Sequence, residues 1–337
     1  MESNDFNRFV LNSPRRLALP IATYPGLALT GAKVSDLVTN PQAQLEAQSA
    51  LHARYRTPFV LSAMDLSAEA EAFGCSVTIS EGEIPTVTGR LVGTMEEADR
   101  LPVPQPGDKR TSVYLETVRG LRKLDGRPLV LGGCIGPFSL AARLAGVREA
   151  MELTLTEPEL MHTLVEKSAR FLASYLEAFR MAGANGILMA EPAAGLLSPR
   201  GMAAFSSSYV RQIAGASADD PAFTVILHNC AAKLVHLPAV LASGLRTFHF
   251  GAPMDLVAAL DGVSTDTVLC GNLDPARVFV QMRPSEVRAS AGRLLAAMEG
   301  RRNFVLSSGC DVPPNTPLAN LDAFFSAAGQ APGGVSG

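Results

Sequence analysis

Residues 224–230 read Thr-Val-Ile-Leu-His-Asn-Cys, and the interpretation of the whole chain starts from this stretch. Its first four residues are β-branched or aliphatic without alternation, which is typical of a strand buried on both faces of a parallel sheet. The run ends in His228 and Cys230, and imidazole and thiolate are good zinc ligands. A second apolar run, Phe304 to Ser308, is followed closely by Cys310. The sequence therefore predicts a zinc site built from two strand ends.

Eight short apolar runs recur along the chain, each followed by a polar or glycine- and proline-containing turn and a helix-like segment. They cover residues 17–23, 58–63, 128–132, 186–190, 224–227, 247–250, 267–270 and 303–306. Amphipathic spacing between the runs, clearest from Pro158 to Met181, indicates helices. Strand and helix repeated eight times predict an α/β fold of the (β/α)8 class, a TIM barrel.

The barrel is predicted to be one domain, residues 1–329, followed by a flexible tail at 330–337. An insertion is expected after the second strand, at about residues 66–127, because plain loops of that length are rare. It contains a predicted hairpin, Ser76 to Val92, and a predicted helix, about Ser112 to Lys123. We interpret it as covering part of the active-site face, and ordinary capping of the barrel bottom is the alternative.

The composition bounds the class of protein. Hydrophobic residues make up 47% of the chain and charged residues 18%, which gives ample core for a compact enzyme. The net charge is −3 with scattered basic residues, so we expect no nucleic-acid partner. Residues 1–16 do not resemble a secretory signal, and no apolar run reaches the roughly 18–20 residues that span a bilayer. We therefore expect a cytoplasmic protein without membrane contact.

The five cysteines include no Cys-x-x-Cys pair, and a chain of this size does not need disulfides. Free thiols or metal ligands are the favoured interpretation. We treat Cys75, Cys134 and Cys270 as packing residues, because none has a neighbouring ligand in the sequence.

The active sites of such barrels lie at the carboxyl ends of the strands. Cys230 and Cys310 are 80 positions apart, whereas structural zinc sites take their ligands in close pairs. Three ligands, with His228, leave one position open for a substrate, and the alternative is that each is an ordinary core residue. Glu191 is predicted to be a fourth ligand or a catalytic base, and Asp65 a catalytic carboxylate of the pocket. Pairing with an arginine is the alternative for both.

Four further residues at the predicted rim are expected to contact a cofactor. Gly133, Gly136 and Asn272 lie in turns where glycine permits close approach of the backbone to a ligand and where asparagine shapes the pocket. His249 lies between two phenylalanines, so a pocket-wall or core histidine is favoured over a metal ligand.

Three segments together resemble the uroporphyrinogen decarboxylase superfamily. They are Gly-Cys-Ile-Gly-Pro-Phe at 133–138, Glu-Pro-Ala-Ala-Gly-Leu-Leu-Ser-Pro at 191–199 and Gly-Asn-Leu-Asp-Pro at 271–275. They follow each other in the family's order and at fitting intervals, and the resemblance extends from about Arg15 to Phe325. It implies a (β/α)8 barrel with its cleft at the carboxyl-terminal rim.

The superfamily contains two broad chemistries. Its decarboxylases carry an N-terminal arginine-rich segment that binds substrate carboxylates, whereas the corresponding residues 18–31 contain no arginine here. Its corrinoid-dependent methyltransferases have a His-x-Cys…Cys zinc site, which this sequence matches with His228, Cys230 and Cys310.

The resemblance thus implies a zinc-dependent methyltransferase. It would move a methyl group between a corrinoid (methylcobalamin or a corrinoid protein) and a thiol or other small nucleophile. A uroporphyrinogen-type tetrapyrrole decarboxylase and a non-catalytic protein that binds a corrinoid or tetrapyrrole are the two alternatives.

Overall fold

The computed structural model describes residues 5–215 and 222–329, so the predicted tail at 330–337 lies outside the described part. The strands are β1 (Phe59–Leu61), β2 (Ser76–Thr78), β3 (Thr86–Thr88), β4 (Leu129–Ile135), β5 (Gly186–Ala190), β6 (Thr224–Asn229), β7 (Thr247–Phe250), β8 (Val268–Leu273) and β9 (Phe304–Ser308). The helices are α1 (Phe6–Asn12), α2 (Leu27–Thr30), α3 (Val34–Thr39), α4 (Pro41–Tyr55), α5 (Ala68–Phe73), α6 (Met95–Arg100), α7 (Thr111–Leu121), α8 (Pro137–Ala145), α9 (Val147–Thr156), α10 (Pro158–Ala182), α11 (Pro199–Met202), α12 (Ser208–Gly215), α13 (Leu237–Leu241), α14 (Leu256–Asp261), α15 (Pro284–Ala297) and α16 (Leu318–Ala327). Short 3-10 turns occur at Ala193–Leu196 and Leu234–His236, and π-helical turns at Ala203–Ser207 and Arg277–Gln281.

Seven of the strands form one parallel sheet in the order β1, β4, β5, β6, β7, β8, β9, with helices between them. The first predicted run lies beside β9, where Ala18 makes a parallel bridge to Leu306 and the Leu19 N–H donates to the Leu306 carbonyl at 2.9 Å. The eight runs therefore follow one another around the sheet, and the TIM-barrel fold class is confirmed. The predicted strand at 17–23 is limited to this bridge, and Pro20 has no N–H with which to extend the ladder.

The interior of the barrel is filled by side chains that point inward at alternate positions along the strands. They include Leu19, Leu61, Leu131, Leu188, Ile226, Val268, Cys270 and Val305. Helix α1 belongs to the same cluster, and the rings of Phe6 and Phe59 lie 5.1 Å apart. Because side chains alternate with a period of two, the next inward positions above Ile226 and Val305 are His228 and Ser307.

The connection between β1 and β4 carries its own secondary structure. Helices α5, α6 and α7 and the antiparallel hairpin β2–β3 lie within it. The hairpin predicted from Ser76 and the helix predicted from about Ser112 are therefore both present, each somewhat shorter than expected. None of the helices in the described ranges is long and apolar enough to cross a membrane.

Candidate metal centre at the barrel rim

Three side chains that could bind a metal ion meet at the carboxyl-terminal rim. His228 lies near the end of β6, Cys230 follows that strand, and Cys310 follows β9. One nitrogen of His228 and the two sulfur atoms all lie within 4.8 Å of one another. Donor atoms around a tetrahedral zinc ion, with bonds of about 2.0–2.3 Å, are about 3.4–3.8 Å apart. A small contraction of this cluster therefore suffices to enclose zinc, and no other such group of His, Cys, Asp or Glu occurs among residues 5–215 and 222–329.

One ring nitrogen of His228 makes a hydrogen bond, and the other makes none within the described residues. Its ring lies 1% exposed, and its Nδ1 is 2.8 Å from Nδ1 of His249. Its Nε2 is buried and has no hydrogen-bond partner within the described part of the chain. Leaving a buried polar atom unpaired costs about 1–3 kcal/mol, and such atoms are rare in native proteins. A metal ion at Nε2 would remove this cost, so the donor set fits zinc.

The two sulfur atoms of the cluster differ from the other thiols in exposure, and Cys230 also differs in acidity. Cys230 and Cys310 are partly exposed, whereas the remaining three cysteines are buried. The hydrogen bond from Cys310 lowers the pKa of Cys230 to about 7, and the same bond together with burial raises the pKa of Cys310 to about 12. One thiolate is thus available near neutral pH, and the thiolate is the form that binds metal.

The β6 side of the cluster is fixed by close packing against the end of β7. A side chain at Gly251 would place its Cβ 2.1 Å from the Cys230 carbonyl oxygen, so glycine is required there. Asn229 precedes Cys230, and its Oδ1 accepts a hydrogen bond from the Ala232 N–H at 3.0 Å. This bond stabilises the turn that presents the Cys230 sulfur.

The β9 side is tied to the first predicted run of the chain. The Ile21 N–H donates to Ser308 Oγ at 2.9 Å, and the Thr23 N–H donates to Asp311 Oδ1 at 3.2 Å. These bonds flank Cys310 on both sides. Burial raises the pKa of Asp311 well above its usual range. Within the stretch that lacks arginine, Ile21 and Thr23 therefore support the metal-ligand loop.

A cavity of about 350 Å³ opens beside the three donors, which is within the range of small-molecule sites. Its lining residues are Met64, Asp65, Leu66, Ile84, Pro85, Thr86, Arg143, Ala190, Pro192, His228, Cys230, Cys310 and Asp311. Positions 84 and 85 lie in the turn of the β2–β3 hairpin, and position 86 begins strand β3. The long connection after β1 therefore contributes a wall of this cavity.

Asp65 lines the cavity, but both of its oxygens are occupied. Its Oδ1 accepts from the N–H groups of Ser67 at 2.8 Å and Ala68 at 3.0 Å, at the start of α5. Its Oδ2 forms an ion pair with Arg110 and accepts from the Tyr114 hydroxyl at 2.9 Å. The arginine pairing that the sequence left open is therefore present.

Glu191 points away from the donor cluster, toward the start of α8. Its Oε1 accepts from the Phe138 N–H at 2.9 Å, and its Oε2 accepts from the N–H and hydroxyl of Ser139 at 3.0 and 2.6 Å. Burial raises the pKa of Glu191 to about 7. A Cβ at Gly136 would lie 2.2 Å from Glu191 Cγ, so the glycine makes room for this carboxylate. The structure does not bring Glu191 to the metal ligands, and we assign it a positioning role.

The four residues that were predicted to contact a cofactor lie behind the cavity lining. Gly133 packs against Met64, and Gly136 against the buried glutamate described above. Asn272 donates to two backbone carbonyls of the turn after β7, at 3.1 and 2.7 Å. His249 lies behind His228. A direct role of these four in cofactor binding stays a prediction.

Sequence reasoning missed three contributors. Arg143 faces the cavity from α8, residues 84–86 form a wall, and Ser307 lies 2.7 Å from His249 Nε2. A signal for Ser307 existed, because two serines in succession end an otherwise apolar strand. Arg143 and the hairpin are placed by tertiary packing that no local pattern reports.

The fold and the site together define a parallel α/β barrel with an N/S/S donor cluster at its carboxyl-terminal rim. A family model described as uroporphyrinogen decarboxylase (URO-D) matches residues 22–331. The chain belongs to this family.

Relatives from both chemistries of the family are similar to this chain. A uroporphyrinogen decarboxylase from Ectopseudomonas mendocina is 27% identical, over 90% of this chain and 88% of its own. A methylcobamide:CoM methyltransferase, MtbA, from Methanosarcina acetivorans is 28% identical, over 81% of this chain and 78% of its own. Among solved structures, a methyltransferase from Methanosarcina mazei shares the fold with a TM-score of 0.87 at 22% identity, covering 98% of this chain and 99% of its own.

Proposed function

We propose that this protein is a zinc-dependent methyltransferase that moves a methyl group between a corrinoid and a thiol or other small nucleophile. One observation carries the proposal: the buried, unpaired Nε2 of His228 lies beside two partly exposed sulfur atoms at the edge of a cavity. Such a set of three ligands with an open side is the arrangement of catalytic rather than structural zinc.

His228, Cys230 and Cys310 would hold the zinc ion. Bound zinc would stabilise the deprotonated form of a thiol at the open position, which makes that sulfur nucleophilic near neutral pH. The corrinoid is a substrate of this reaction, either as methylcobalamin or carried by a corrinoid protein at the mouth of the cavity. Overall, the cobalt–carbon bond would break and a sulfur–carbon bond would form, with the electron pair left on cobalt as cobalt(I) and the thiol proton released.

The charges of the cavity support a small nucleophile with an anionic group. Asp65 is paired with Arg110, which also forms an ion pair with Glu71. Arg143 lines the same cavity and makes no ion pair within the described ranges. An unpaired guanidinium is suited to carboxylate or sulfonate, which it binds through two parallel hydrogen bonds.

Identity alone does not separate methyl transfer from decarboxylation, since relatives of both kinds are 27–28% identical to this chain. The donor cluster favours methyl transfer. The first predicted run favours it too, because residues 18–31 offer no arginine for a polycarboxylate.

Following the loss of methylcobalamin by absorbance, with a panel of thiols, tests the proposal. We expect zinc-loaded wild type to demethylate methylcobalamin, Cys230→Ser to lose this activity, and Cys270→Ser to retain it. Arg143→Gln should raise the KM for thiols that carry an acidic group and leave the KM for neutral thiols unchanged. Turnover of uroporphyrinogen without any methyl transfer would contradict the proposal, and so would zinc binding without activity toward any acceptor.

A further inference from the structure

Behind His228 lies a chain of three polar contacts that is buried throughout. Nδ1 of His228 is 2.8 Å from Nδ1 of His249, and Nε2 of His249 is 2.7 Å from Ser307 Oγ. The Ser307 hydroxyl in turn donates to the Leu19 carbonyl. His249 and Ser307 are both 0% exposed, so water does not compete for these bonds. Four elements contribute: β6, β7, β9 and the first predicted run.

The hydrogen bond from Ser307 to the Leu19 carbonyl determines where the protons lie in the other two contacts. A carbonyl oxygen only accepts hydrogen bonds, so the single hydroxyl proton of Ser307 is used on Leu19. Ser307 Oγ must then accept from His249, which places a proton on His249 Nε2. A neutral imidazole carries one N–H, so His249 Nδ1 is left as an acceptor. His228 therefore donates from its Nδ1, and its Nε2 carries a lone pair.

The order of these protons matters because Nδ1 of His228 is bonded to His249, which leaves Nε2 as the nitrogen available to a metal ion beside Cys230 and Cys310. Free histidine exchanges between two neutral tautomers, and only one of them presents an unprotonated Nε2. Metal-binding histidines generally obtain the right tautomer from a partner at the other ring nitrogen. Here the partner is a second histidine, whose own tautomer is set by a serine and a backbone carbonyl.

We propose that Leu19, Ser307 and His249 are positioning residues that hold His228 in the tautomer with a free Nε2 lone pair, ready for the metal. The inference rests on the proposed zinc site for its purpose. The inference also gives a reason for the contact between the first predicted run and β9, because the Leu19 carbonyl is the acceptor that ends this series of hydrogen bonds.

The ring nitrogens of metal-free protein labelled with 15N report the tautomers directly. The sequence holds five histidines, so correlations between ring protons and nitrogens can be assigned with single substitutions. We expect His228 to show a protonated Nδ1 and an unprotonated Nε2, and His249 the reverse. Mixed tautomers of His228 in the wild type would overturn the proposal, and this measurement does not depend on any variant folding.

Zinc alone, in competition with a chromophoric chelator, gives the second measurement. Ser307→Ala and His249→Leu should bind zinc about 10- to 100-fold more weakly, as expected for partners outside the metal ligands. His249→Gln should lose less than His249→Leu, because an amide can accept from His228 and donate to Ser307. Cys270→Ala is the matched control, since Cys270 pairs with His249 in the sheet register and is buried outside the chain of contacts.

The two proposals fail in different ways. Wild type without zinc affinity but with the expected tautomers would overturn the proposed function and leave only the tautomer assignment in place. Normal zinc affinity in Ser307→Ala, with His228 still in one tautomer, would overturn the positioning role and leave the zinc site in place.

Discussion

Glu191 and His228 make an instructive pair. They lie at the ends of neighbouring strands, with Ala190 and His228 in register, and both are buried, at 0% and 1% exposure. Both oxygens of Glu191 accept hydrogen bonds from the start of α8, whereas one nitrogen of His228 has none. These two side chains are therefore equally buried but have different roles. The satisfied carboxylate stabilises the barrel, whereas the unpaired nitrogen, next to two sulfur atoms, is available to a ligand.

Removing a metal ligand is expected to give the largest change in zinc affinity. His228→Ala should lower zinc affinity by more than about 100-fold, beyond the effect of residues outside the ligand set. It should also lower the stability of the metal-free protein, because loss of the ring leaves a cavity and removes the hydrogen-bond partner of His249 Nδ1. Chelator competition and urea unfolding measure the two effects. Retained zinc affinity would show that Nε2 is not a ligand.

At the satisfied carboxylate we expect a loss of stability with little change in zinc affinity. Glu191→Ala leaves the Phe138 N–H and two donors of Ser139 without an acceptor, which should cost about 3 kcal/mol of unfolding free energy. Zinc affinity of the folded protein should change less than about 10-fold. Urea unfolding measures the stability and the chelator assay the affinity. A complete loss of zinc binding in folded protein would instead restore Glu191 as a ligand.

The same two residues show how much of the site could be predicted from the sequence. Apolar runs predicted the strands, and ligand chemistry at their ends predicted His228, Cys230 and Cys310 as one cluster. Whether a buried polar group is satisfied depends on distant partners, and those of Glu191 lie 15 to 53 positions away. No local pattern reports such contacts. For that reason the sequence predicts Glu191 at the metal, whereas the structure places it at the start of α8.

Another buried acid, Glu69, is also satisfied by a hydrogen bond and gives a pH dependence. Glu69 accepts a hydrogen bond from the Ile135 N–H at 3.0 Å, and burial raises its pKa from 4.5 to about 7. A raised carboxyl pKa contributes stability that is full below about pH 4.5 and is lost as pH rises through 7. The loss should be about 3 kcal/mol. Glu69→Gln should flatten this part of the stability profile in urea unfolding, and an unchanged profile would contradict the assignment.

The smallest expected effect concerns the thiols outside the cluster. Cys75, Cys134 and Cys270 are buried, so alkylation by iodoacetamide should be slow with or without zinc. Cys230 and Cys310 are partly exposed and should be alkylated in metal-free protein and protected when zinc is bound. Mass spectrometry of the labelled protein separates the five sites. Equal labelling of the two cluster thiols with and without zinc would contradict a shared metal.

The central claim is that His228, Cys230 and Cys310 hold one zinc ion, and elemental analysis of purified protein tests it most directly. Wild type dialysed against zinc should retain about one ion per chain, Cys310→Ser should retain almost none, and Cys134→Ser should match wild type. Wild type that retains no zinc, or Cys310→Ser that retains as much as wild type, would contradict the claim.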